Sequence, residues 1–510
     1  MKKILNIFVI TLIVSVLGSC SSFLDQKPRN IAIVKTVDDY KAILGSYMRW
    51  LKNPAFGENP AIKLPGFDVS RVTNIYSGEV SIKQSQIIDN NTGLITNFAD
   101  TYMNWLSQST VSTWNKNYIF TGPLNYIIDT VNDSEIPEGI DVEEFFDVAN
   151  YVKGEALVWR AWTYYNTLRY FAPYKNNDLG IVLSMHYYED PSEARLARAT
   201  QLESYNQILS DLNEALELLE ETPPNEEWNF AYNKEHIYSM MASIYHFKAL
   251  SGGAEASDWG NAIIYADMAI DGKVLSSDPD NLKKMFNLNN VTAYQDDQFS
   301  WRVAKIGNLT GMAFRSAGYF VNANGQGNSN FAIRPLPADV HVLFAPNDIR
   351  TEVYLRPLSG GDLFTMDKYS LAGANRQNRG VIVPFRLADL YLIKAEAMAR
   401  QGIADASGVL QDFLNARYTG DIPVIPGEPE VLLTEILRQR RIEFFQENGM
   451  RWLEMKRLNL TFDRGVIGGR SLVLESDDFR YAWPIPGTEL GPESDVIQNP
   501  GWESIISVNF

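Results

Sequence analysis

The chain of 510 residues has a single cysteine and only four histidines. One thiol cannot form an intramolecular disulfide, so no disulfide framework is predicted. The histidines show no metal-ligand spacing, and no second cysteine could help them hold a zinc ion. We therefore predict no metal site and no cofactor, and we assign these histidines to the surface or to a core where their polar atoms are satisfied: His186, His236, His246 and His341.

Common catalytic motifs are also missing. The sequence has no Walker loop, no HExxH and no G-x-S-x-G elbow. The stretch NGQGNSN at residues 324–330 lacks the third glycine of a phosphate-binding loop and a strand-to-helix context. A glycosidase needs only two carboxylates at a suitable separation, and 62 acidic residues supply many pairs. The sequence therefore predicts a protein that is not an enzyme, with a surface glycosidase as the rival that stays open.

Basic residues are too few to balance the acidic ones. Without Lys2 and Lys3, which lie in the N-terminal segment considered next, 43 basic residues face 62 acidic ones, a net charge of about −19. Such a charge opposes nucleic acid and anionic membrane surfaces as partners. A neutral ligand or a protein partner is favoured.

A long hydrophobic run occurs once, at the N-terminus. Lys2 and Lys3 precede an apolar segment from Ile4 to Leu17, which is shorter than the roughly 20 residues of a membrane span. This pattern is typical of a secretory signal peptide, predicted over residues 1–19. The sequence LGSC, ending at Cys20, resembles the lipobox of bacterial lipoproteins. The resemblance implies that Cys20 is acylated and becomes the mature N-terminus, with residues 20–30 as a polar tether.

Helical periodicity dominates much of the remaining chain. A content of 45% hydrophobic and 12% aromatic residues argues against disorder. Apolar residues recur at offsets such as 0, 3, 4, 7 and 11, which is the spacing of one helix face. Each such segment predicts an amphipathic helix with one buried stripe. The stripes are Val158, Ala161, Trp162, Tyr165 and Leu168; Tyr205, Ile208, Leu209, Leu212, Ala215, Leu216 and Leu219; Ile237, Met240, Met241, Ile244 and Phe247; and Ala388, Tyr391, Leu392, Ala395, Met398 and Ala399.

Short glycine-containing breaks separate some of these helices. Gly252 and Gly253 precede a helical pattern at residues 261–270, and Gly402 precedes another at 405–417. Short breaks favour helices that pack as neighbours. The arrangement resembles tetratricopeptide helix pairs, although no strict 34-residue period is present. We predict a mainly α fold built as a tetratricopeptide-like helical superhelix.

Two stretches lack helical periodicity and are rich in turn residues and aromatics, namely residues 53–97 and 288–346. Long irregular segments in a compact protein are often functional loops. Aromatic side chains there lie between polar or turn residues, and they either bind ligand or fill small cores beneath the loops. Trp105 and Trp114 lie in stretches with helical spacing and are assigned to the core. The candidate ligand-binding residues are Tyr76, Tyr294, Trp301 and Tyr319.

Several stretches, in order along the chain, are similar to the SusD/RagB family of surface lipoproteins that serve outer-membrane nutrient importers. One such stretch alone would be weak, but together with the lipobox they extend from one end of the chain to the other. They are GEALVWRAWTYYNTLRYFAPY from Gly154, YNQILSDLNEALELL from Tyr205, the pair at 237–270 with Trp259, FRLADLYLIKAEAMARQG from Phe385, RRIEFFQENGMRWLEMKR from Arg440, YAWPIP from Tyr481 and NPGW from Asn499.

The resemblance implies one SusD-like domain over residues 31–510, with an N-terminal half at about 31–270 and a C-terminal half at about 300–510. Its irregular loops and short strands would form the ligand face. The function implied is capture of an oligosaccharide at the cell surface and its delivery to a SusC-like TonB-dependent barrel, on which the protein acts as a lid. The protein would be lipid-anchored in the outer membrane and face the cell exterior. Some family members serve peptide importers, so peptide capture is the alternative.

Charged residues within the family motifs are predicted to hold the fold rather than to bind ligand, because a helical scaffold can use them for partly buried ion pairs. Departures from the family pattern affect only local pairing. The family usually has Glu-Arg where this chain has Arg440-Arg441, Asp-Leu where it has Glu454-Met455, and Tyr where it has Ala482. The residues predicted to hold the fold are Arg386, Glu396, Arg441, Glu443 and Arg451.

Overall fold

The computed structural model describes several ranges of the chain, and most of their regular secondary structure is helical. None of the helices in these ranges is long and apolar enough to cross a membrane. The described residues are 34–52, 77, 108–188, 196–219, 234–286, 338–357, 364–366, 368, 385–447, 449–467, 470–492 and 494–503.

Helices account for most of the described secondary structure, which confirms the predicted mainly α class. Residues before 287 contribute α1 (Val37–Lys52), α2 (Gln108–Thr130), α3 (Val142–Phe171), α4 (Gln201–Leu218), α5 (Lys234–Lys248), α6 (Asp258–Ile270) and α7 (Pro279–Phe286). Residues after 337 contribute α8 (Ala338–His341), α9 (Ile349–Tyr354), α10 (Leu387–Arg400), α11 (Ala406–Asn415), α12 (Pro429–Glu443) and α13 (Met450–Leu458).

The strands within the described ranges form two antiparallel hairpins. Strand β1 (Leu355–Pro357) pairs with β2 (Phe364–Met366), and Leu355 lies opposite Met366. Strand β3 (Phe462–Ile467) pairs with β4 (Arg470–Leu474), with a register shift between Asp463 and Val466. Two short 3₁₀ helices, Phe479–Tyr481 and Gly487–Glu489, follow β4.

The helices pack mainly against their neighbours in a series. Helix α3 packs between α2 and α4, α5 lies between α4 and α6, and α10 packs on α6 and α11. Nearest-neighbour packing of this kind is the structural basis of helical superhelices. Apolar residues from α1 to α5 share one core cluster with Trp452, Trp483 and Trp502, whereas alanines of α6 share a second cluster with α10, α11 and α12.

The stripes predicted from periodicity face these cores. In α4 the five stripe residues from Tyr205 to Ala215 are buried, and in α5 the whole stripe from Ile237 to Phe247 is buried. Trp114 is buried against Phe171, as predicted for a core residue, while Trp105 lies outside the described residues. Helix α6 begins at Asp258, three residues before the predicted pattern. The carboxylate of Asp258 accepts hydrogen bonds from the Glu255 amide at 2.7 Å and from Lys248 Nζ at 2.7 Å. These bonds hold the first turn in place.

The end of α3 is buried, and distant residues satisfy its backbone. The last carbonyls of a helix have no partners within it. Here Lys456 Nζ donates to the carbonyl oxygens of Arg169 (2.6 Å) and Ala172 (2.8 Å). The amide of Trp483 donates to Tyr170 O at 2.8 Å. Asn499 Nδ2 donates to Phe171 O at 2.7 Å, so residues of the YAWPIP and NPGW motifs complete the helix.

A buried ion network centred on Glu443 joins α12 to α9 and α10. Its carboxylate accepts from Arg386 at 2.7 Å, from Arg417 at 3.0 Å and from Arg350 at 3.4 Å. Burial alone would raise the pKa of Glu443, but these guanidinium groups hold it well below its ordinary value. Lys368 and Arg386 also bind Glu447 in the same network.

A second network surrounds Glu396 of α10. Arg457 binds both of its oxygens, at 2.7 and 2.9 Å, and His246 Nε2 lies 2.8 Å from Oε2. The predicted fold-holding role is thus confirmed for Arg386, Glu396 and Glu443. Arg441 makes a partly exposed pair with Asp339 at 3.3 Å, and Arg451 lies on the wall of a cleft described below.

Two departures from the family pattern meet in space. Arg440 Nε donates to Glu454 Oε1 at 2.9 Å, and Arg440 Nη1 also binds Asp389 at 2.5 Å. Glu454 in turn accepts from Arg457 at 2.6 Å. The positive charge of Arg440 is therefore balanced by Asp389 and by Glu454, and Glu454 is itself one of the departures from the family pattern.

Gly252, in the break between α5 and α6, is required by close backbone contact. Its amide donates to Tyr174 O at 2.8 Å. A Cβ at this position would lie 2.6 Å from Asn177 N and 2.7 Å from Lys175 O, and backbone atoms cannot move aside cheaply.

We predict that Gly252→Ala lowers the melting temperature, because the α5–α6 break would have to move away from the chain after α3. Gly260→Ala, within α6, is the matched control: its Cβ would meet only Gln401 Nε2 at 3.8 Å, and alanine in a helix is about 0.5–1 kcal/mol more stable than glycine. Thermal melts of both variants check the prediction. Equal melting temperatures would contradict the close-contact explanation.

We predict that Glu443→Gln lowers the free energy of unfolding by about 3–5 kcal/mol, because it leaves buried guanidinium groups without their counter-charge. Since the folded-state pKa lies below the unfolded one, the stabilisation by Glu443 is present above the unfolded pKa and is lost as pH falls through the folded pKa. The variant should therefore lose less stability than wild type on acidification. Urea titrations at neutral and acidic pH measure this. The control Glu352→Gln, whose pair with Lys283 is exposed, should cost less than about 1 kcal/mol.

Candidate functional site

The residues singled out from the sequence as ligand-binding or lipidated lie outside the described part of the structure. These are Tyr76, Tyr294, Trp301, Tyr319 and Cys20. Ser77, the residue after Tyr76, is described and is buried. The assignments of the four aromatics and of the cysteine stay predictions, and what the structure adds is the scaffold from which the two irregular stretches depart.

The first irregular stretch lies between α1 and α2. Tyr40 of α1 stacks on Tyr126 of α2 with ring centroids 5.6 Å apart, and its hydroxyl lies 2.8 Å from Thr130 Oγ1. Both helices also contact α3. The two helices that bracket this stretch are therefore fixed to each other and to the first core cluster.

The second irregular stretch lies between α7 and α9 and includes the short helix α8. Arg350 of α9 is fully buried; it binds both oxygens of Asp348 and donates to Gln439 Oε1 of α12 at 2.5 Å. Burial alone would lower the pKa of Arg350, but Asp348 and Glu443 raise it above its ordinary value, so the guanidinium stays charged. Lys283 of α7 pairs with Glu352 of α9. The chain on both sides of this stretch is thus held to the same scaffold.

A cleft of about 270 Å³ opens between α12 and α13, next to Leu343. Burial alone would raise the pKa of Glu454, but Arg457 and Arg440 lower it to about 2, so its carboxylate is charged. The arginines could donate hydrogen bonds to a ligand. The only ring among the lining residues is that of Phe444, which is 6% exposed. A sugar ring stacks on an open aromatic face, which this lining does not offer. The lining residues are Leu343, Thr434, Leu437, Arg438, Arg440, Arg441, Phe444, Met450, Arg451, Glu454, Leu458 and Leu460.

His246 and His186 have the positions expected of a core and a surface histidine. His246 is buried against Glu396, and burial and Arg457 lower its pKa despite that carboxylate, so it is neutral near pH 7. His186 is exposed, 3.6 Å from Asp129. Within the described ranges no group of three or more His, Cys, Asp or Glu side chains could hold a metal ion.

Sequence reasoning missed the residues that complete the end of α3. Lys456 and Asn499 lie about 300 positions from their carbonyl partners, and nothing in their local spacing indicates that contact. The family motifs that contain them were the available signal. These motif residues have a structural role, because their side chains are buried and donate hydrogen bonds to backbone carbonyls.

Two family models match the chain. One, described as starch-binding and associating with the outer membrane, matches residues 22–246, and the SusD family model matches residues 363–502. Together they match more than half of the chain. No curated protein matches it.

Solved structures share its fold. A SusD superfamily protein of Bacteroides thetaiotaomicron has a TM-score of 0.67 at 20% identity, and the match covers 91% of this chain and 100% of that one. A SusD-like carbohydrate binding protein of Bacteroides vulgatus has a TM-score of 0.62 at 19% identity, covering 87% of this chain and 90% of that one. A SusD superfamily protein of Bacteroides fragilis has a TM-score of 0.64 at 17% identity, covering 91% and 100%.

The likeness to these structures confirms the predicted SusD-like, tetratricopeptide-like helical fold. The first family model covers the GEALVW motif in α3, and the second covers the motifs from FRLADLYLIKAEAMARQG in α10 to NPGW after the last 3₁₀ helix. The chain belongs to the SusD/RagB family, whose members are nutrient-binding proteins associated with the outer membrane.

Proposed function

We propose that this protein is a cell-surface lipoprotein that captures an oligosaccharide and delivers it to a SusC-like TonB-dependent barrel in the outer membrane. The observation that carries the proposal is the match of residues 22–246 to a family model described as starch-binding and associating with the outer membrane. Binding and delivery require no nucleophile or metal, and the sequence contains none of the common catalytic motifs. In this proposal the protein acts by binding and delivery rather than by catalysis.

The ligand face in this proposal consists of the two irregular stretches. Sugar rings present flat C–H faces that stack on Trp and Tyr, and their hydroxyls bond to Asn, Gln, Arg and Asp. Both stretches contain this mixture, with Tyr76 in the first and Tyr294, Trp301 and Tyr319 in the second. The α12–α13 cleft has no open aromatic face, which favours the stretches over the cleft. Peptide capture is the second candidate, and a surface glycosidase the third.

The anchor in this proposal is lipid on Cys20. Each buried CH₂ contributes about 0.8 kcal/mol, so two or three acyl chains hold a protein on a membrane where one chain would not. No other cysteine is available to pair with Cys20. The tether of residues 20–30 then connects the lipid to the scaffold at the cell exterior, where the protein acts as a lid on its barrel.

We predict that Cys20→Ala releases the protein from the outer membrane, because the acylation site is removed. Cell fractionation and incorporation of a labelled fatty acid measure the result. Ser19→Ala, which keeps a small residue in the lipobox, should remain membrane-bound and labelled. Retention of label in Cys20→Ala would contradict the lipid assignment.

We predict that Trp301→Ala weakens oligosaccharide binding by about 1–3 kcal/mol, as expected for a central aromatic contact, with no change in melting temperature. Calorimetry with a panel of oligosaccharides identifies the ligand and then compares the variants. Tyr187→Ala removes an exposed aromatic that belongs to neither stretch of the sequence, and this variant should bind normally. A large fall in melting temperature would assign Trp301 to a core, and binding of peptides but no oligosaccharide would favour the second candidate.

A further inference from the structure

The turn that connects α2 to α3 exposes large apolar side chains. Over residues 134–146, which we call the α2–α3 turn, Ile136 is 43% exposed, Ile140 43%, Val142 56% and Phe146 39%. These residues are close in sequence; among the other exposed apolar side chains of the described part, Ile264, Met268 and Val274 at α6 form the next such group. Clustered exposed apolar side chains mark interaction sites more often than single ones do.

This turn is built by defined hydrogen bonds. The amide of Ser134 donates to Val131 O, and that of Ile140 donates to Pro137 O at 3.2 Å. Asp141 caps α3 by accepting from the Glu143 amide at 2.9 Å. The Phe146 ring meets the buried Phe145 ring edge-on, with centroids 5.2 Å apart. The apolar side chains are therefore presented by a fixed backbone.

The charged side chains within the turn's own sequence are all acidic, and Lys35, which pairs with Glu135, is a basic neighbour. Residues 133–147 contain seven acidic side chains and no lysine or arginine. An anionic lipid surface would repel such a segment, whereas a protein surface with basic side chains would attract it. The acidic residues are Asp133, Glu135, Glu138, Asp141, Glu143, Glu144 and Asp147.

The turn lies beside the point where the N-terminal tether reaches the scaffold. The amide of Glu135 donates to Lys35 O at 2.8 Å, and the side chains of the same two residues pair at 3.1 Å. Val34 is 14 positions after Cys20, so a fully extended tether spans at most about 50 Å. If Cys20 carries lipid, the turn is restricted to within that distance of the membrane surface.

We propose that the α2–α3 turn docks onto a membrane-embedded protein partner whose surface has basic side chains around an apolar depression. This inference rests on the proposed function, since it requires the lipid anchor and a barrel beside it. Ile136, Ile140 and Val142 supply the buried contact, and the acidic residues select the partner by charge. Docking there would hold the start of the scaffold against the partner while the irregular stretches stay available for ligand.

The test uses the full lipidated chain with an affinity tag, extracted in mild detergent from its native membranes. The triple variant Ile136→Ser, Ile140→Ser, Val142→Ser should recover at least tenfold less barrel than wild type. The matched control Ile264→Ser, Val424→Ser, Val431→Ser removes three exposed apolar side chains elsewhere and should recover the wild-type amount. Glu143→Lys with Glu144→Lys should also lose barrel. Thermal melts and oligosaccharide binding of all variants should match wild type.

The outcomes separate this inference from the function on which it rests. A wild-type chain that recovers no barrel overturns the proposed transporter partnership and the docking surface with it. A wild-type chain that recovers barrel, together with a triple variant that recovers as much, overturns the docking surface alone. A lipid surface is tested with vesicles of phosphatidylethanolamine and phosphatidylglycerol and the Cys20→Ser chain. Vesicle binding that the triple variant abolishes would overturn the assignment to a protein partner.

Discussion

The buried end of α3 is the constraint on which the rest of the scaffold depends. A helix that ends inside a protein leaves carbonyl groups without partners, and each one left unsatisfied costs on the order of 1–3 kcal/mol. Here the partners come from α13, through Lys456, and from the C-terminal motifs, through Trp483 and Asn499. The N-terminal helices therefore cannot complete their core without the last part of the chain. Burial and the nearby Arg198 lower the pKa of Lys456 to about 7, and the protonated form interacts favourably with the negative end of the helix dipole.

Buried charge specifies how α10, α12 and α13 meet. Glu443 is paired with Arg386 and Arg417, and Glu396 with Arg457 and Arg400, so neither carboxylate is left with an uncompensated charge. A buried ion pair adds little net stability over apolar packing. A helix arrangement that left one of these charges buried without its partner would be strongly disfavoured. We attribute to these networks the selection of one helix arrangement among those that alanine-rich stripes would allow. Arg440 is compensated in the same way, because its guanidinium pairs with Glu454 and Asp389.

The residues of the helical scaffold and those of the proposed ligand face differ in how freely they can vary. Structures that share only 17–20% identity with this chain share its helical fold over most of their length. Core stripes and helix-completing side chains tolerate few alternatives, whereas loops that bind different ligands are free to vary. In the part of the chain that the structure describes, the helices that bracket the two irregular stretches are held by ring stacking at Tyr40 and by a buried guanidinium at Arg350. A fixed base of this kind lets loops present aromatic side chains without loss of scaffold stability.

The sequence by itself determined the helices with a clear apolar stripe, which are α3, α4, α5 and α10, and the sides they bury, because a stripe such as that from Tyr205 to Ala215 is a local pattern with the period of the helix. It also placed Trp114 in the core and, through a lipobox and ordered motifs, indicated the family. The ligand-binding role of Trp301 and the other loop aromatics stays a prediction. Tertiary structure alone decided which distant groups meet, such as Lys456 with the end of α3, because no local period records a contact across 300 residues. It also decided that Ile136 and its neighbours are exposed, since composition alone assigns an isoleucine to the core.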